Sequence, residues 1–145
     1  LPCIQKVISE MGPLNGAVDF LNWLQMRAQV VLLSDTFYEF AMPLMKQLGY
    51  PTLLCHRLEI QKNGKITGYQ LRQKESKLKA VQAFQSLNFR VIAAGDSYND
   101  IAMLTAADKG ILFKPPQNVG AEFPQFPVVR NYREFKDKIT SCITD

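Results

Sequence analysis

Histidine, tryptophan and cysteine are scarce in these 145 residues, with one, one and three copies. Cys3, Cys55 and Cys142 are odd in number, widely spaced and without a CxxC pair, so neither a disulfide framework nor a zinc site is expected. The single histidine, His56, follows an apolar run and reads as a structural side chain rather than a ligand. No stretch approaches the roughly 20 apolar residues of a membrane span. No positively charged start leads into a signal-like apolar region. A reduced cytoplasmic setting is expected, with no membrane partner. Glycine-rich loops are missing after the early strand pattern, which argues against a dinucleotide-binding module. Neither sign of charge dominates: 17 Lys and Arg against 13 Asp and Glu give a net +4, spread along the chain. That modest excess suits an anionic small molecule better than a duplex, and no nucleic-acid partner is expected. Internal repeats and low-complexity tracts are lacking too. The sequence opens at Leu1 and enters a helical pattern almost at once, as a piece of a longer protein would.

What is present alternates strand and helix. "AQVVLLSD" (28–35) is a continuous aliphatic run, as in a strand buried on both faces of a parallel sheet. "RVIAAGD" (90–96) and "KGILF" (109–113) resemble it. Phe37, Phe40, Ala41, Leu44, Met45 and Leu48 recur at helical spacing, with Gly49 as the expected C-terminal cap. Pro43 inside that pattern implies a kink or a late start. Leu78, Val81, Ala83, Phe84 and Leu87 predict a second helix, and Ile101, Ala102, Leu104 and Thr105 a third. The order implies an α/β fold with a parallel sheet and flanking helices. "RLEIQKNGKITGYQLR" (57–72) interrupts it with two strand-like arms around Asn63-Gly64, predicting a tight hairpin inserted into, and standing out from, the α/β core. "FKPPQNVGAEFPQFP" (113–127) reads as a surface connection with a short helix.

Open parallel sheets bind ligands where strands deliver their carboxyl ends. Two predicted strands end in acidic, hydroxyl-bearing loops, "LLSDT" (32–36) and "AAGDSYND" (93–100). Asp96 sits at a strand tip, and Asp100 lies about one helical turn later and projects back toward the same loop. A hard cation such as Mg²⁺ takes oxygen ligands and keeps several waters, so one direct carboxylate and one acting through water fit it. Each motif alone reads equally well as helix capping: Asp96 as an N-cap, Ser97 with Asp100 as a capping-box variant, and Thr36 with Glu39 as another box. Lys77, in "QKESKLKAV" (73–81), opens a helix between the two loops in sequence. Its ammonium can meet an anion as a point charge, or lie solvated beside Lys74 and Lys79.

A hydroxyl residue ending one strand, then a lysine, then GDxxND after another strand resembles motifs two to four of the haloacid dehalogenase superfamily of Mg²⁺ phosphatases. More narrowly, "GPLNGAVDFLNWL", "VVLLSDTFYEFAMPLMKQLGYPTLLCH", "GYQLRQK" and "RVIAAGDSYND" resemble the ThrH type of phosphoserine phosphatase, which can also pass the phosphoryl group to homoserine. The resemblance implies a Rossmann-like parallel sheet in which Ser34 hydrogen-bonds the transferring phosphoryl group and Lys77 neutralises it. It also implies that Asp96 ligates Mg²⁺, with Asp100 and Asn99 supporting the metal shell. The implied substrate is a small phosphorylated amino acid, and a homodimer is compatible with the family. The superfamily's first motif, DxDx[TV], supplies the nucleophile and the acid/base, and nothing upstream of Ser34 matches it. Residues 1–11 resemble the end of a cap domain and 12–145 a catalytic core without its central first strand. By the same resemblance the 145 residues alone are expected to be inactive. A truncated, non-catalytic relative that binds a partner or regulates an intact enzyme is the alternative.

Overall fold

Aliphatic runs become strands in both halves of the computed structural model, which describes residues 1–144. The chain divides into two compact units, Leu1–Ser76 and a second from Lys77 onward. The first contains α1 (Pro2–Glu10), α2 (Ala17–Gln25), β1 (Val31–Phe37), α3 (Tyr38–Gln47), β2 (Thr52–Ile60) and β3 (Ile66–Gln70). Its sheet has the order β1-β2-β3, with β1 and β2 parallel and β3 antiparallel to β2. The second contains α4 (Ser76–Ser86), whose first residue closes the first unit, then β4 (Ile92–Gly95), α5 (Ile101–Ala106), β5 (Lys109–Phe113), α6 (Gln117–Glu122), β6 (Val128–Val129) and α7 (Tyr132–Thr144). Its sheet, β4-β5-β6, is parallel throughout. The α/β class stands, with flanking helices and parallel pairing. The strands form two three-stranded sheets, and β1 and β4 each occupy a sheet edge.

The hairpin differs from expectation. Its first arm is the second half of β2, which already pairs with β1 from Thr52 onward, so the hairpin is continuous with the sheet instead of standing out from it. The apolar "LLCH" preceding it is that shared strand. Gly64 alone takes a positive φ, 83°. The Gln61 amide donates to the Lys65 carbonyl at 3.0 Å, enclosing a three-residue turn.

Helix α3 neither starts late nor stops at Pro43; it begins at Tyr38. Proline has no N–H to donate to the carbonyl four residues earlier, that of Glu39. Gln5 of α1 supplies the missing donor, its Nε2 lying 2.9 Å from the Glu39 carbonyl oxygen. Beyond the helix, Gly49 is left-handed (φ 79°) as expected. The Tyr50 amide returns to the Met45 carbonyl at 2.8 Å and that of Gly49 to Lys46 at 3.3 Å, the paired bonds of a Schellman cap. Helix α4 ends the same way with Asn88 (φ 66°) in the left-handed position. Phe89 bonds back to Phe84 at 3.0 Å, and Asn88 to Gln85 at 2.9 Å.

The second unit holds most of the core. Val81, Leu104, Ile111, Leu112 and Val119 are almost wholly buried there. In β1, by contrast, no residue is fully buried, although its sequence predicts cover on two faces. An edge strand with a neighbour on one side only accounts for the difference.

Candidate active site

The ladder of β4 ends with Gly95 opposite Leu112, and the chain then turns through a single 3₁₀ turn, Tyr98–Asp100, into α5. Glycine is required at the strand tip because a Cβ on Gly95 would lie 2.5 Å from Cβ, Cγ and Oδ2 of Asp100. That close approach lets one buried carboxylate organise the whole loop. Asp100 is 5% exposed. Its Oδ2 accepts the amides of Asp96 at 2.9 Å and Ser97 at 3.2 Å, together with the Ser97 hydroxyl at 3.3 Å. Its Oδ1 accepts the Lys77 ammonium at 2.8 Å. Ser97 and Asp100 therefore do form the capping box. Capping and site assembly are here one arrangement, since the same carboxylate also holds the lysine.

Burial acts to raise the Asp100 pKa, but the Lys77 ammonium and the amides of Asp96 and Ser97 outweigh it and hold the carboxyl below its ordinary value of 3.8. Asp100 is thus a fixed anion. Asp96 and Asn99 are exposed beside it. Two carboxylates and an amide are hard oxygen donors, the set preferred by a Mg²⁺-sized cation. Both oxygens of Asp100 already have donors, one of them the backbone amide of Asp96, whose own side chain is exposed. Among the described residues no three His, Cys, Asp or Glu side chains gather as a metal cluster. A cation held here would keep several waters, as Mg²⁺ does.

Ser34 belongs to the first unit. In the β1–β2 ladder Leu33 stands opposite Leu54 and Phe37 opposite His56, so Ser34, Asp35 and Thr36 together face Cys55 alone. This bulge lifts the three residues out of regular pairing. The Thr36 amide donates to Ser34 Oγ at 3.2 Å. The expected Thr36/Glu39 capping box is absent: α3 has no side-chain cap bond, and Glu39 Oε2 accepts the Leu58 amide of β2 at 3.0 Å. Tertiary pairing has taken the carboxylate that local capping would use.

Arg72 and Tyr38, beside the bulge, were not singled out in the sequence. His56, 5% exposed, accepts the Arg72 amide on Nδ1 at 3.0 Å. Its proton therefore sits on Nε2, which faces Asp35 Oδ1 at 3.5 Å. Arg72 also donates to the Cys55 carbonyl at 3.1 Å and to the Tyr38 hydroxyl at 2.7 Å. His56 is buried and bonded to the backbone of Arg72. Its partners are 16 and 21 positions away, so no local spacing announces them.

The tip of β4 in a parallel sheet thus carries a buried carboxylate with a lysine fastened to it. The chain belongs to the haloacid dehalogenase-like hydrolases, whose family profile matches residues 4–108. It is 62% identical over 133 residues to phosphoserine phosphatase ThrH of Pseudomonas aeruginosa, covering 92% of this chain and 65% of that one. It is 61% identical over 133 residues to a phosphoserine phosphatase of Pseudomonas syringae pv. tomato, covering 92% and 56%. The chain thus spans less than two thirds of the length of these curated relatives. A solved phosphoserine phosphatase from T. onnurineus, in complex with NDSB-201, matches with a TM-score of 0.71 at 27% identity, over 93% of this chain and 62% of that one.

Proposed function

We propose that the protein carrying this chain is a Mg²⁺-dependent phosphomonoester hydrolase acting on phosphoserine through an aspartyl-phosphate intermediate, with phosphoryl transfer to homoserine as a second outcome. The observation that carries this reading is the Lys77–Asp100–Asp96 node at the tip of β4. It lies in a chain 62% identical to a phosphoserine phosphatase. In this reading Ser34 donates a hydrogen bond to a phosphoryl oxygen, and Lys77 sets positive charge against it. Asp96 ligates the metal directly, while Asp100 and Asn99 support its shell. Bound there, Mg²⁺ supplies charge that the phosphoryl oxygens need in the transition state.

The nucleophile comes from the first motif, which these 145 residues do not contain. Its aspartate attacks phosphorus as the bond to the serine oxygen breaks, and the second aspartic acid protonates the leaving oxygen. Water then attacks the phosphorus of the aspartyl-phosphate while the second aspartate, now deprotonated, takes its proton, and the bond to the first aspartate breaks to release phosphate. Residues 1–11 are the end of a cap domain in this reading and 12–145 a catalytic core, inactive without the preceding segment. The setting is cytoplasmic, the ligand a small phosphorylated amino acid, neither nucleic acid nor membrane is a partner, and a homodimer is the assembly to test.

The test uses the full-length protein. Phosphoserine should be hydrolysed in preference to hexose phosphates in a competitive panel, and only with Mg²⁺. Asp96→Asn should lower turnover by about 100-fold or more. Unchanged turnover and metal dependence in that variant would remove the site assignment. Preference for hexose phosphates would remove the substrate, and no turnover of any phosphomonoester would favour the non-catalytic binding or regulatory alternative.

A further inference from the structure

One side chain of the GDSYND loop leaves it. Ser97 turns inward onto Asp100, but the Tyr98 hydroxyl donates to Glu122 Oε2 at 2.5 Å and accepts from Asn118 Nδ2 at 3.3 Å. Its ring lies edge-on to Phe123, with centroids 5.9 Å apart. Three contacts thus come from α6 and the residue that ends it. Asn118 and Glu122 stand four apart and share one face of the helix. Val119, 2% exposed, pins the helix itself into the core. Tyr98 is 49% exposed, so burial of its ring does not explain the convergence. The bond to Glu122 is charge-assisted, of the stronger kind.

We propose that Tyr98, through Glu122 and Asn118, is a positioning residue that clamps the 96–100 loop to α6 and so sets where the Asp96 carboxylate is presented. The loop is then held at two points. Asp100 grips the backbone amides of Asp96 and Ser97 from within, and Tyr98 ties the residue between them and Asn99 to a packed helix from outside. A backbone held at one point can pivot; held at two, it presents Asp96 in one orientation. The inference rests on the proposed metal role of Asp96 but not on the identity of the substrate.

In the full-length protein, Tyr98→Phe keeps the ring and loses the tie. The expected result is a Mg²⁺ dissociation constant weaker by about 3- to 10-fold by calorimetric titration, less than the loss of a group bonded directly to a metal ligand. At saturating Mg²⁺, turnover should stay close to wild type. Glu122→Ala should match Tyr98→Phe, the double variant should add nothing further, and Glu122→Gln, which keeps an acceptor, should recover part of the affinity. Amide exchange of residues 96–100, measured without metal, should quicken in Tyr98→Phe and Glu122→Ala alike. Wild-type Mg²⁺ affinity and exchange in Tyr98→Phe would overturn the proposal, as would additive losses in the double variant. A wild type that binds Mg²⁺ but ignores phosphoserine removes the substrate reading and leaves this inference standing; a wild type that binds no Mg²⁺ overturns it.

Discussion

Asp100 does at residue scale what its neighbours cannot. Its carboxyl is held below 3.8 chiefly by the Lys77 ammonium and two backbone amides, against a burial that acts to raise it. A folded-state pKa depressed below the unfolded value contributes stability that is fully present above about pH 4 and lost as pH falls through the folded value. Asp100→Asn should therefore cost about 2 kcal/mol at pH 7, where a charge-assisted bond to Lys77 and acceptors for two amides are affected. The gap between wild type and variant should narrow in urea titrations as pH falls below about 4, and a gap that stays undiminished down to the lowest pH at which both proteins fold would contradict the linkage. Asp96 and Asp100 could be picked out in the sequence because GDxxND puts them at a strand tip and one turn further on. That Asp100 meets Lys77 could not, since the two lie 23 positions apart.

Elements were legible where their signals are local. Strand β5 lies at 109–113 as expected, and Gly49 caps α3 because a left-handed residue is needed there. Asn88 fills the same role after α4 and is less conspicuous, because asparagine tolerates that conformation without requiring it. Helix α3 shows the limit of local reasoning. Pro43 removes one donor, and the sequence reading takes this as a kink or a late start; Gln5, from another helix, satisfies the carbonyl instead. Gln5→Leu should cost about 1 kcal/mol by orphaning Glu39. Pro43→Ala in that background should restore most of it by returning an amide to the same carbonyl, whereas in the wild type it should bring much less. Denaturation of the four proteins forms a double-mutant cycle, and additive effects would show that Gln5 is not the replacement donor.

At the scale of the whole molecule, burial is uneven. Phe20, Leu21, Met45 and Cys55 are the buried apolar residues of the first unit, against twelve in the second. Strand β1 is half-buried along an aliphatic sequence and has a hydrogen-bonded neighbour on one side only. Unpaired edges and half-covered aliphatic faces favour local opening. The 145 residues alone should show slower amide exchange in β4 and β5 than in β1 and β2, with a tendency to aggregate through the first unit. In the full-length protein, exchange in β1 should slow by an order of magnitude or more. Equal protection of both sheets in the short chain would refute this.

The sequence by itself determined the α/β class, the strand-tip position of the Asp96 loop, the lysine at a helix start, and the left-handed residue that ends α3. Each follows from spacing or backbone sterics within a few residues. Ser34–Thr36, expected in a loop at a strand end, lie instead within β1. Only the tertiary structure decided that β2 is shared between a parallel and an antiparallel partner. It also decided that Glu39 caps a strand amide, that Gln5 completes a helix broken by proline, and that Tyr98 reaches Glu122. Each of these pairs a donor and an acceptor far apart in the chain. Hydrogen-bonding groups take whichever partner folding brings within about 3 Å, and no local pattern of residues specifies that choice.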